Sequence, residues 1–133
     1  MKKKSFEEKL EEAWKEYDNL PSTKACEQFK NMISSLKKCL NLDIITEIQS
    51  FNGSIDIRVK ILIKPGYHDL LFTAKISQTG YPITTEYDID DMTGVTTYCE
   101  DLGGLENWLI SFVTDPKIKS KLGMYKSLAK VSG

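Results

Sequence analysis

An α+β fold is predicted by the order of hydrophobic periods along the chain. Apolar residues recur every three to four positions over residues 5 to 40, alternate with period two from Asp43 to Cys99, and return to the helical period from Leu102 onward. With 133 residues, 41% of them hydrophobic, the chain has the size and apolar content of one ordinary domain. Helices, a run of strands and then helices, with no repeat or linker between them, imply a single unit over residues 1 to 133. Its first four residues are expected to be disordered and residues 131 to 133 frayed.

The first helix is expected over residues 5 to 18, where Phe6, Leu10, Ala13, Trp14 and Tyr17 form one stripe and glutamates and lysines fill the other positions. Asn19, Leu20 and Pro21 end it. Ser22 or Thr23 should then cap a long core helix to about residue 40, with Ala25, Phe29, Met32, Ile33, Leu36 and Leu40 inward. Two strands, 44 to 51 and 54 to 63, meet at Asn52-Gly53, a pair suited to a two-residue hairpin. In the second, Ile55, Ile57, Val59, Ile61 and Ile63 share the core face. After the turn at residues 64 to 67, Leu70, Phe72, Ala74 and Ile76 should continue that face. A further turn at Gln78 to Pro82 leads to a fourth strand from Ile83 to Ile89, and residues 94 to 99 add a short fifth.

This is an antiparallel meander of four to five strands. Two helices should follow it: one after the hinge Gly103-Gly104, with Leu102, Leu105, Trp108, Leu109, Phe112 and Val113 inward, and one capped by Asp115 with Pro116 first. Ile118, Leu122, Tyr125 and Leu128 form the inner face of the last. Helices on one face of the sheet would leave the other face in water.

Composition narrows the function classes. The net charge of -1 gives no general attraction to nucleic acid or anionic lipid. Met1 to Lys4 is basic, but five glutamates follow where an apolar run would be required, so no export signal is expected, and no apolar run approaches the roughly 20 residues of a membrane span. A cytoplasmic location is expected. The three cysteines, Cys26, Cys39 and Cys99, fit reduced thiols, with Cys26 and Cys39 buried on opposite sides of one helix. Seventeen lysines against one arginine is the usage of AT-rich bacterial and phage genomes.

No catalytic, metal or cofactor motif is present. The single histidine, His68, has no partner nucleophile beside it in sequence; GxSxG, GxxxxGK[ST] and GxGxxG are all missing. Residues 88 to 94 fail as a calcium loop because Met92 and Thr93 stand where a ligand and a glycine are needed. No cofactor is expected.

Charge partition is the sharper signal. Between Ile76 and Pro116 lie eight acids and no lysine or arginine; from Lys117 to the end lie five lysines and no acid. On an extended strand Glu86, Asp88 and Asp90 project from one face about 6.6 Å apart, with Asp91 adjoining. A solvated sheet face explains such charges; so does a docking surface for a basic protein, and a non-enzymatic inhibitor, immunity-type or accessory factor is the expected function. The lysines of the last helix are scattered and lack stacking aromatics, so nucleic acid is not the expected partner. A second reading is a small-molecule pocket between sheet and helices near His68, Tyr81, Tyr98 and Trp108. A third is dimerisation through the first helix and Trp14.

Overall fold

A computed structural model of the chain describes residues 3–51, 53–64, 66–87 and 95–132; the side chains of 51, 64 and 129–132 lie outside that description. The elements follow the order α1 (Phe6–Asp18), α2 (Pro21–Leu40), β1 (Ile44–Phe51), β2 (Ser54–Lys64), β3 (Tyr67–Ser77), β4 (Gly80–Tyr87), β5 (Val95–Cys99), α3 (Leu102–Thr114) and α4 (Pro116–Ser132). The five strands form one antiparallel sheet in chain order, and α2, α3 and α4 cover one of its faces. The α+β architecture is thus the one the hydrophobic periods require.

Local chemistry accounts for most boundaries. Ser5 caps α1 by accepting a hydrogen bond from the Glu8 N–H, and Asp101 caps α3 by accepting one from the Gly104 N–H at 2.7 Å. Asp115 accepts from the Lys117 N–H at 2.9 Å, with Pro116 at the first position of α4. Two boundaries differ from expectation. Helix α2 starts at Pro21, whose preset φ suits a first helical position, and Ser22 and Thr23 are buried inside its first turn rather than capping it. Gly103 and Gly104 lie within the first turn of α3, because the Asp101 cap begins the helix before them. The last helix, α4, extends to Ser132.

The core is built by β2 facing β3. Ile57 and Val59 pair with Ala74 and Phe72 across the strands, and all four are at most 1% exposed. Phe72 sits in an aromatic cluster, its ring 5.4 Å from Phe112 and 5.0 Å from Trp108, both edge-on. Trp108 stacks on Phe112 at 5.1 Å. Edge-to-face and offset contacts of this kind add to the energy of burial.

A register shift between Val59 and Lys60 corrects the expected alternation of β3. Val59 pairs with Phe72 but Lys60 pairs with Leu70, so Leu71 is an extra residue on β3 and the pleat changes phase. Leu71 is therefore buried, and Leu70, expected inward, is 44% exposed. The same phase change turns Asp69 to the helix side, opposite Ile61, where it accepts a hydrogen bond from the hydroxyl of buried Tyr125. Burial, and then the Asp69 carboxylate, push the Tyr125 phenol well above its ordinary range. This bond fixes α4 on the sheet near the β2–β3 turn.

At the other end of β3, Gly80 holds φ at +84°, and a side chain there would meet the Pro21 carbonyl oxygen at 2.7 Å. Only glycine lets the start of α2 seat this closely on the β3–β4 turn. That contact roots α2, and with it the exit of α1, at the opposite end of the sheet from Tyr125.

Candidate functional site

The open face of the sheet, expected to be the acidic docking surface, carries mixed charge among its described residues. Glu47, Asp56 and Glu86 stand with Arg58, Lys60 and Lys75. Several are matched across strands: Glu47 pairs in register with Arg58 and Asp56 with Lys75. Lys60 donates to Glu47 at 2.8 Å, which holds that carboxyl below its ordinary value. Glu86 is exposed, flanked by Thr73 on β3 and Thr96 on β5. Asp88, Asp90 and Asp91 lie outside the described residues, as do Met92, Thr93 and the rest of 88–94.

The four residues of the alternative pocket are divided by the sheet. Tyr81 is half-buried on the helix side, donating through its hydroxyl to Gln28 of α2 at 2.8 Å, and its pKa is raised mainly by burial. Trp108 belongs to the core aromatic cluster. His68 and Tyr98 are exposed on the open face, paired with Leu62 and Thr84 respectively. These side chains do not converge on one cavity.

The cysteines are similarly dispersed. Cys99 is buried and its thiol is pushed up, chiefly by burial, away from the reactive thiolate form. Cys26 is half-buried and also raised by burial, whereas Cys39, expected to be buried, is exposed because its side of α2 turns from the sheet. Among the described residues no three His, Cys, Asp or Glu side chains gather as metal ligands, and no described helix is long and apolar enough to cross a membrane.

Helix α1 is the outlier. Every other helix buries part of its apolar stripe; α1 buries none of its residues. Phe6 is 76%, Trp14 63% and Tyr17 54% exposed, and Leu10 lies on the same strip. Monomeric proteins seldom leave a contiguous apolar strip of this length in water unless it binds something. Six carboxylates and two lysines fill the rest of the helix, so the apolar stripe has an acidic border. Sequence spacing located this stripe but not its exposure, since an amphipathic pattern reads the same whether the core or a partner covers it.

The acidic strip of α1 has a counterpart at the far end of the chain. On α4, Ile118, Leu122 and Tyr125 are buried, while Lys117, Lys121, Met124 and Leu128 follow the adjoining flank at spacings of four, three and four. Met124 is 51% and Leu128 41% exposed, a correction to the expected inward position of Leu128, whose turn lies past the last contact at Tyr125. Met124 escaped the sequence reading because it falls between the buried positions. Comparisons of the chain with protein-family models, curated proteins and solved structures match nothing.

Proposed function

We propose that the chain is a non-enzymatic protein-interaction domain, of the inhibitor, immunity or accessory type, that engages a basic protein surface through the exposed face of α1. The observation that carries this reading is the unburied stripe of Phe6, Leu10, Trp14 and Tyr17 on a helix whose remaining surface is acidic. A groove lined by apolar side chains and rimmed by lysine or arginine matches it: the aromatics supply buried area, and the carboxylates supply orientation and encounter rate. A phospholipid surface matches it poorly, since amphipathic helices that lie on membranes carry basic polar faces.

This keeps the basic partner expected from the sequence and moves its docking surface from the sheet to α1. The sheet face around Glu86 remains the comparison. Capture of partners by the wild-type protein, by Trp14→Glu and by Glu86→Ser separates the two surfaces. The expected result is a partner that is lost with Trp14→Glu, retained with Glu86→Ser and released as salt rises, since exposed charge pairs are screened. Retention by Trp14→Glu and loss with Glu86→Ser would return the site to the sheet and overturn the assignment to α1.

A further inference from the structure

We infer that a second copy of this chain is a partner of α1, the acidic, aromatic stripe of each α1 lying on the lysine-rich flank of α4 in the other copy. The inference rests on the reading of α1 as a docking surface and names an occupant for it.

Charge selects between the surfaces a second copy could offer. Two α1 helices carry like charge, with six carboxylates against two lysines on each, so α1 on α1 is disfavoured. Helix α4 is the complement: the chain from Lys117 onward holds five lysines and no acid. Its flank of Lys117, Lys121, Met124 and Leu128 offers apolar side chains and cations together. Lys121 already lies over the Tyr125 ring, its Nζ 5.9 Å from the centroid, so this part of the flank is ordered by the core. On α1, Glu7, Glu11 and Asp18 border one edge of the aromatic stripe, where the lysines would meet them.

The fold makes this contact intermolecular. Helix α1 leaves the body beside Gly80, which pairs with Ser77, while Tyr125 of α4 is anchored on Asp69. Eight strand steps separate Asp69 from Ser77, about 26 Å along β3. The 13 residues of α1 span only about 20 Å, too short for the stripe to lie along Met124 and Leu128 of its own chain. Because the two surfaces sit toward opposite ends of the sheet, two copies placed side by side and antiparallel bring both pairs together, and a two-fold axis makes the contacts equivalent.

The area agrees with two contacts rather than one. At their observed exposures, the aromatic side chains of α1 offer on the order of 400 Å². With a matching area on α4, one contact reaches about 800 Å², the scale of a non-specific contact, and the reciprocal pair about 1,600 Å², the scale of a stable interface.

Analytical ultracentrifugation from micromolar to about 100 µM tests the inference. The wild-type protein is expected to dimerise, and Trp14→Glu to weaken the dimer by about tenfold or more. Lys117→Glu with Lys121→Glu on α4, or Glu7→Lys with Glu11→Lys on α1, is expected to give monomers. An equimolar mixture of these two charge-reversed proteins should form a heterodimer, because each contact again pairs opposite charges; its formation also establishes that both variants are folded. A wild-type monomer throughout the range, or a mixture that stays monomeric, would overturn the inference. A dimer lost with Trp14→Glu but unmoved by the α4 reversal would overturn it too, while leaving α1 as a docking surface. A dimer indifferent to Trp14→Glu would overturn the inference as well, and the capture comparison with Trp14→Glu then decides the docking role of α1 by itself.

Discussion

Helices α1 and α2 have the same amphipathic design and opposite fates. Both place large apolar side chains at spacings of three and four with charges between them, yet α2 buries Ala25, Phe29 and Ile33 to 4% exposure or less, and α1 buries nothing. The difference lies in what each helix finds opposite it. Helix α2 lies across the inner face of the sheet, where Phe29 meets Phe72 edge-on at 6.2 Å. Helix α1 joins the start of α2 beside Gly80, and among the described residues its main contacts are with α2 rather than with the sheet. Periodicity specifies which side of a helix is to be covered; the covering surface must be supplied by something else.

The largest expected effect sharpens that contrast. Phe29→Ala should cost about 3–5 kcal/mol by emptying the centre of the core, whereas Phe6→Ala, a change of the same chemistry, should leave global stability within about 0.5 kcal/mol. Urea unfolding of the two variants under monomeric conditions checks this, and equal losses would break the comparison.

Helix α4 extends the comparison to a helix held partly by a polar anchor. Tyr125→Phe deletes the donor to Asp69 and leaves that carboxylate without its partner, at an expected cost of about 1–3 kcal/mol. Its signature is in the alkaline limb. The folded state raises the Tyr125 pKa, so the stabilisation is complete below the ordinary phenol value of about 10 and declines as pH rises above it. The wild-type urea midpoint should fall between about pH 9 and pH 11, and Tyr125→Phe should flatten the part of that fall due to the phenol. Cys26, Cys99 and Tyr81, also raised by burial, contribute declines that persist in the variant, those of the thiols starting lower.

The caps of α1 and α3 give a smaller contrast. Asp101→Ala should cost about 1 kcal/mol of global stability, because α3 unfolds with the core. Ser5→Ala removes the equivalent bond from α1, and the loss should appear as reduced helical circular dichroism with an unchanged unfolding midpoint. The smallest effect expected is that of Trp14→Ala on the monomer, within about 0.5 kcal/mol, in spite of the large volume removed.

Particular residues mark where sequence reasoning stopped. The strand that holds Ile55, Ile57, Val59 and Ile61 was legible because a period of two survives along its buried length. The next strand was legible from Phe72 onward and failed at Leu70, because the run Leu70-Leu71-Phe72 is apolar on both phases and conceals an inserted residue. Asp69 could not be assigned to the core side for the same reason. Ser22 and Thr23 resembled caps in residue type, but Pro21 had already started the helix. At the site, the border charges and the aromatic stripe of α1 were readable; its exposure, and the flank of Met124 and Leu128 on α4, were not.

By itself the sequence determined the element order, the inner faces of α2 and β2 and the cap at Asp115, since these depend on neighbours within a few residues along the chain. Only the tertiary structure decided that Leu71 turns inward, that Tyr125 anchors on Asp69, and that α1 keeps its aromatics uncovered. Each of these depends on which surfaces meet across the fold. Local spacing can define an apolar face, but burial is a property of two surfaces in contact.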